Sequence, residues 1–145
     1  MSTLTPPINN TIEMLERLSF ASKVENINLV EKLVDDICAK HEVNEDNYGN
    51  VLIAITEAVN NAIHHGNKSN PLAEVKVSYD IKGNELIFIV EDEGPGFDYD
   101  SLPDPTDPKN IEKPHGRGVF LMKNLSDKIT FLEEGSSVKM VFGIA

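Results

Sequence analysis

The chain has 145 residues with 40% hydrophobic and 26% charged content, which is the composition of an ordinary globular protein of one domain. Its formal net charge of −11 argues against direct nucleic-acid binding, because no cluster of lysine and arginine is present to attract a phosphate backbone. The sequence lacks an apolar run long enough to span a membrane and the hydrophobic core of a signal peptide, and its single cysteine cannot form an internal disulfide. We therefore expect a cytoplasmic protein.

The hydrophobic periodicity predicts a single α+β domain over residues 1–145, a two-layer sandwich in which helices cover one face of a mixed, mostly antiparallel sheet. In chain order the predicted elements are a strand at 11–20, a helix from 22 to about 41, a helix from 44 or 46 to 66, a hairpin of 75–81 with 86–90, a helix at 118–126, and a hairpin of 128–132 with 138–142. Ser22 and Glu25 have capping-box spacing, so we expect Ser22 to cap the first helix. Residues 93–114 contain five prolines and little periodicity, which is typical of a functional loop such as a lid.

Glu57 and Asn61 are four residues apart in the second predicted helix, so their side chains share one helix face. A carboxylate can act as a general base, and an amide oxygen is a suitable ligand for Mg²⁺. The same polar face also suits a helix that simply borders solvent. The pair therefore indicates a nucleotide site only together with other motifs.

A glycine-rich turn follows the buried strand that ends near Asp92. Gly94 and Gly96 let the backbone turn sharply and approach a ligand closely. Asp92 can then accept a hydrogen bond from an exocyclic amine such as that of adenine. The alternative interpretation is an acidic surface turn.

A second glycine-rich segment opens the third predicted helix at His115-Gly116-Arg117-Gly118. Backbone N–H groups at a helix N-terminus attract phosphate, and Lys113 and Arg117 can add charge-assisted hydrogen bonds to a triphosphate. A lone Gly-x-Gly is a weak signal, and the Gly-Lys-Ser/Thr ending of a Walker phosphate loop is absent from it.

The order of these motifs is more specific than any one of them. A Glu-x-x-x-Asn helix, an Asp-x-Gly-x-Gly turn after a strand, a long loop, and Gly-x-Gly at a helix resemble the GHKL ATPases, which have the Bergerat ATP-binding fold. The motifs extend from Glu57 to Leu121. Within that superfamily, the run from Glu57 to Gly66 is most similar to the anti-sigma factor serine kinases of the RsbW type.

The resemblance implies ATP and Mg²⁺ as cofactors and a role for each matched residue. Glu57 would be the general base, Asn61 would bind Mg²⁺, and Asp92 would accept a hydrogen bond from the adenine amine. The lid, residues 97–114, would close over ATP. The other residues expected at the adenine or the phosphates are Gly94, Gly96, Lys113, Gly116, Arg117, Gly118, Val119, Phe120 and Ser137.

The resemblance also implies a function and partners. The protein would transfer the γ-phosphate of ATP to a serine of a STAS-type anti-anti-sigma protein, would sequester a sigma factor, and would form a homodimer. A second hypothesis is a nucleotide-gated binding module, in which ATP orders the lid to present a surface and the protein regulates another signalling partner without transferring phosphate. The presence of Glu57 favours the enzyme.

Overall fold

The computed structural model describes residues 16–96 and 114–144, which form an antiparallel sheet and three helices. In chain order the elements are β1 (Glu16–Ala21), α1 (Ile27–Lys40), α2 (Glu45–Asn61), β2 (Glu74–Lys82), β3 (Glu85–Glu91), α3 (Pro114–Leu125), β4 (Lys128–Leu132) and β5 (Ser137–Gly143). This arrangement confirms the predicted α+β class. In the described part of the chain, no helix has the length and apolar character that a membrane span requires.

The described strands form one sheet in the order β1-β2-β3-β5-β4, and each of its four pairings is antiparallel. Side chains alternate between the two faces, so residues two apart on a strand meet the same layer. Val77 stands opposite Val90, and Phe88 stands opposite Met140, and all four are buried on the face that packs against the helices. The alternation predicted for Val75, Val77 and Tyr79 is confirmed in β2, and β3 is largely buried, as its continuous apolar run predicted.

The helices bury one apolar stripe each. In α1 the buried positions Val30, Val34 and Ile37 follow the helical repeat, as expected of a helix that packs on one side only. At the start of α2 the Asn44 side chain accepts a hydrogen bond from the Asn47 N–H at 2.9 Å, which identifies Asn44 as the N-cap of the two candidates. After Asn61 the helix continues as one π turn, Ala62–Gly66, so its predicted end at Gly66 is confirmed.

The predicted cap at Ser22 is wrong. A short 3₁₀ turn, Val24–Asn26, precedes α1, and Lys23 occupies the position before that turn. The Ser22 hydroxyl instead donates a hydrogen bond to the carbonyl oxygen of Ala73 at 2.8 Å, and its side chain is buried. That partner is distant in sequence, so local spacing could not reveal it.

The predicted start of the third helix at Gly118 is also wrong, because α3 begins at Pro114. Proline suits the first helical position, where its missing N–H has no intrahelical partner to lose. The Gly-x-Gly therefore lies inside the first turns of α3 rather than ahead of it. Residues 11–15 of the predicted first strand, residues 97–113 of the predicted lid, and Lys113 lie outside the described residues.

Candidate functional site

A cavity of about 380 Å³ lies where the end of α2, the end of β3, α3 and β5 meet. Its volume falls in the range of small-molecule sites, roughly 300–1,000 Å³. Part of its wall is apolar, formed by Ala58, Ala62, Val90, Val119, Met122, Phe131 and Val138. Five of the predicted site residues also line it: Asn61, Asp92, Gly96, Val119 and Ser137.

Asn61 is the last residue of α2 and lies against the second turn of α3. A Cβ atom added to Gly118 would lie 3.2 Å from Asn61 Oδ1 and 3.3 Å from Asn61 Nδ2. The absence of a side chain at Gly118 therefore lets α3 approach the Asn61 amide closely. Glu57 lies one turn earlier on α2, is partly exposed, and is not part of the cavity wall.

Asp92 follows β3 and is fixed through both its backbone and its side chain. Its N–H donates to the carbonyl oxygen of Ser136 at 2.9 Å, and its Oδ1 accepts a hydrogen bond from the Gly94 N–H at 2.8 Å. Burial raises the pKa of the Asp92 carboxyl, and the Gly94 N–H acts against that rise by stabilising the anion. The result is a partly desolvated acceptor on the cavity wall, which suits an amine donor of a ligand.

Two glycines make the surroundings of Asp92 possible. A Cβ atom on Gly66 would collide with the Asp92 carboxylate, and a Cβ atom on Gly94 would collide with the carbonyl oxygen of Gly66. The end of the π turn and the turn after β3 are therefore in backbone contact. Gly94 matters for this contact, whereas Gly96 lies on the cavity wall with a positive φ of 84°.

The remaining predicted site residues within the described part of the chain lie at the start of β5 and in the first two turns of α3. Ser137 begins β5, is buried, and pairs with Glu91 across the sheet, which puts it beside the end of β3. Val119 and Phe120 lie in the second turn of α3, where helical N–H groups bond to carbonyls four residues earlier. Their predicted contact with phosphates stays a prediction. Gly116 and Arg117 lie in the first turn of α3.

Several residues on the cavity wall were not expected there from the sequence. They are His64, His65 and Lys68, which line the cavity from the π turn and the loop that follows. His64 Nδ1 lies 3.0 Å from Ser69 Oγ. Lys68 and Ser69 both have left-handed backbone, with φ of 52° and 58°. A lysine two residues past the predicted helix end was the available signal for this side of the site.

The polar atoms on the cavity wall suit a nucleotide that is bound together with Mg²⁺. Among the described residues, no group of three or more His, Cys, Asp or Glu side chains could hold a metal ion. Mg²⁺ in nucleotide sites is commonly held by one or two protein oxygens, with phosphates and water completing its octahedron. The single amide oxygen of Asn61 agrees with that mode of binding.

The helix end at Asn61 and the turn at Asp92 meet at one cavity of an α+β fold, and comparison with known proteins identifies the class of protein. Residues 20–142 match the family of histidine kinase-like ATPase domains, and because this match covers most of the chain, the protein belongs to that family.

Relatives within that class agree with the resemblance predicted from the motifs. The chain is 26% identical over 128 residues to the serine-protein kinase RsbW of Staphylococcus epidermidis, which covers 83% of this chain and 80% of the relative. It is 25% identical over 127 residues to the serine-protein kinase RsbW of Staphylococcus aureus, which covers 82% of this chain and 80% of the relative.

A solved structure shares the fold. It contains the RsbU and RsbW domains of a Mycobacterium tuberculosis protein and superposes with a TM-score of 0.62 at 11% identity. The superposition covers 89% of this chain and 31% of the longer solved chain. At this identity the comparison supports the fold and not the activity.

Proposed function

We propose that this protein is an ATP-binding anti-sigma factor with protein serine kinase activity. Its substrate is a serine of an anti-anti-sigma protein of the STAS type, and it also sequesters a sigma factor. The observation that carries the proposal is the convergence of Asn61, Asp92 and Val119 around one cavity, although they come from three separate segments. The likeness to the staphylococcal serine-protein kinases supports the transfer of phosphate to a serine.

In this proposal, the amide oxygen of Asn61 would hold Mg²⁺, which would neutralise negative charge on the phosphates of ATP. The serine oxygen attacks the γ-phosphorus while the bond from that phosphorus to the β,γ-bridging oxygen breaks. Glu57 takes the serine proton, and the products are phosphoserine and ADP. Glu57 is partly exposed one turn from Asn61, so a serine on another protein can approach it from solvent.

The two ends of the nucleotide are held by different segments. Asp92, Gly94, Gly96 and Ser137 surround the adenine, and the Asp92 carboxylate accepts a hydrogen bond from its amine. The first turn of α3, which contains Gly116 and Arg117, offers the N–H groups that are free of intrahelical bonds and therefore suits the phosphates. The other contacts proposed for the phosphates are Lys113, Gly118, Val119 and Phe120.

Further parts of the proposal follow from the same likeness. The chain forms a single domain over residues 1–145, residues 97–114 act as a lid over ATP, and the protein works in the cytoplasm as a homodimer. Closure of a lid excludes water and favours transfer to serine over hydrolysis.

The test combines binding and transfer measurements on purified protein. We expect ATP to bind in the presence of Mg²⁺, and the label of γ-³²P-ATP to appear on a STAS-type antagonist. Glu57→Gln should lower the transfer rate by about 10²–10⁴-fold, the typical effect of losing a general base, with ATP affinity retained. Transfer that is undiminished in this variant would contradict the role of Glu57.

A nucleotide-gated binding module remains the second candidate, because Glu57 lies off the cavity wall. The binding-module hypothesis predicts that a partner binds in an ATP-dependent way and that no ³²P appears on it. The natural protein and Glu57→Gln should then behave alike. Labelled antagonist in the natural protein alone favours the kinase.

A further inference from the structure

Asn67 is a buried polar residue that neither the motifs nor the proposed function uses. It directly follows the π turn, and its side chain is only 6% exposed. Its backbone N–H donates to the carbonyl oxygen of Ala62 at 2.8 Å, so the residue is anchored to the end of the helix. A buried amide side chain normally has its hydrogen-bonding groups satisfied, and the partners reveal what it holds together.

The Asn67 amide joins three segments of the chain. Its Oδ1 accepts a hydrogen bond from the Glu93 N–H at 2.7 Å. Its Nδ2 donates to Ser22 Oγ at 2.8 Å and to the carbonyl oxygen of Glu74 at 2.9 Å. Both amide hydrogens and the amide oxygen are therefore used, and their partners lie beyond the end of β1, at the start of β2, and after β3.

These bonds close a ring. The Glu74 N–H donates to the carboxylate of Glu93, whose own N–H is held by Asn67. Three residues from separate segments thus restrain one another through hydrogen bonds that do not belong to the strand pairings. Removal of the Asn67 amide would leave the Glu93 N–H and the Glu74 carbonyl without this partner and would release both segments from the buried Asn67.

The ring fixes the residue next to it, Asp92. Asn67 holds the peptide N–H immediately after Asp92, and the preceding residue, Gly66, packs its backbone against the Asp92 carboxylate. Two contacts therefore restrain the Asp92 carboxylate: Asn67 holds the backbone next to it, and Gly66 packs against the carboxylate itself. A displacement of about 1 Å at a binding group can greatly reduce its effect.

We propose that Asn67 is a positioning residue that sets the selectivity of the cavity for a 6-aminopurine over a 6-oxopurine. A correctly placed Asp92 carboxylate accepts a hydrogen bond from an amine at that position of the base. A 6-oxo group offers no donor there and turns an oxygen toward the anion, so it is rejected. This inference rests on the proposed function, since it requires a nucleotide base at Asp92.

The experiment compares the dissociation constants of ATP and inosine triphosphate, with Mg²⁺, for the natural protein and Asn67→Ala. We expect ATP binding to weaken by about tenfold, the effect of losing one hydrogen bond to a charged group, with a much smaller change for inosine triphosphate. The ratio of the two constants should therefore fall. An unchanged ratio in a folded Asn67→Ala protein would overturn the inference.

Two further variants separate positioning from general stability. Ser22→Ala removes another partner of Asn67 but keeps the bond to Glu93, so it should lower the unfolding temperature and keep the ratio. Asn67→Ser keeps a polar group near Ser22 but is too short to hold the Glu93 N–H, so it should lower the ratio as Asn67→Ala does; an unchanged ratio in folded protein would contradict the mechanism. This variant also serves if Asn67→Ala does not fold.

The outcomes distinguish this inference from the proposed function. If the natural protein binds neither nucleotide, the proposed function fails. If it prefers ATP and loses that preference in Asp92→Asn, but keeps it in Asn67→Ala, then only the role of Asn67 fails.

Discussion

The partly buried Asp92 carboxylate suits a ligand but lowers the stability of the protein without that ligand. Burial raises its pKa above the value of an unfolded chain, so its contribution to stability is fully present below the unfolded pKa and is lost as the pH rises through the folded pKa. At neutral pH the ionised carboxylate therefore destabilises the unliganded fold. The Gly94 N–H compensates for part of this, because it donates to the anion.

Asp92→Asn should consequently separate stability from binding. Without nucleotide, the unfolding temperature of the variant should exceed that of the natural protein at about pH 7, and the difference should shrink as the pH falls through the raised folded-state pKa of Asp92, since its carboxyl then becomes neutral like the amide. ATP affinity should fall by about tenfold at neutral pH. Thermal unfolding across this pH range and calorimetric titration test both effects, and a margin that grows on acidification would contradict the assignment.

Gly66 and Gly49 form a matched pair of glycines for a second test. Alanine at Gly66 would push its Cβ atom into the Asp92 carboxylate, whereas alanine at Gly49 meets nothing within 4 Å. We expect Gly66→Ala to weaken ATP binding by about tenfold or more, because it displaces the acceptor. Gly49→Ala, inside α2, should keep ATP affinity and add about 0.5–1 kcal/mol to the free energy of unfolding. Equal ATP affinities in the two variants would contradict this account.

At the scale of elements, the contact of α3 with the end of α2 decides where the Asn61 amide lies. Alanine at Gly118 would bring a methyl group to 3.2 Å from Asn61 Oδ1, so the amide must shift. We expect Gly118→Ala to reduce the gain in ATP affinity that Mg²⁺ provides, while the preference for ATP over inosine triphosphate persists. Titrations with and without Mg²⁺ measure this, and an undiminished effect of Mg²⁺ would argue against Asn61 as the ligand.

The start of α2 provides a test of local helix stability far from the cavity. Asn44→Ala removes the side-chain acceptor for the Asn47 N–H and should lower the free energy of unfolding by about 1 kcal/mol. Asp46→Ala, at the other candidate start, should cost less, since Asp46 lies in the first turn and interacts only with the helix dipole. Denaturant unfolding compares the two, and a larger loss in Asp46→Ala would be inconsistent with the observed cap.

Element boundaries were predictable where the signal is local. The strands were located correctly, and the start of α2 was narrowed to Asn44 or Asp46, because caps and strand faces depend on residues a few positions apart. Ser22 was misread because its hydroxyl bonds to Ala73, fifty-one positions away. The start of α3 was misread because the Gly-x-Gly interrupts the helical pattern, although Pro114 is a favourable first residue.

At the scale of the whole molecule, the order of motifs anticipated which segments would meet. Asn61, Asp92 and Ser137 line one cavity, and their contacts with a nucleotide stay a prediction. The roles inferred here for Gly66 and Asn67 could not be read from the sequence. They depend on two turns meeting at backbone distance: Gly66 and Gly94 permit a close approach, but the sequence does not say which segment each of them meets.

The central pairing of β3 with β5 bears on how this fold can form and diverge. The pair joins Glu91 to Ser137, so the chain between them, including the predicted lid, must close as a long loop before the sheet is complete. Pairings between such distant residues form slowly, whereas the β2–β3 hairpin is local. Yet doubling the length of a flexible loop costs only about 0.6 kcal/mol. Insertions between Gly96 and Pro114 should therefore be tolerated over evolution, and lids of different length can accompany the same sheet.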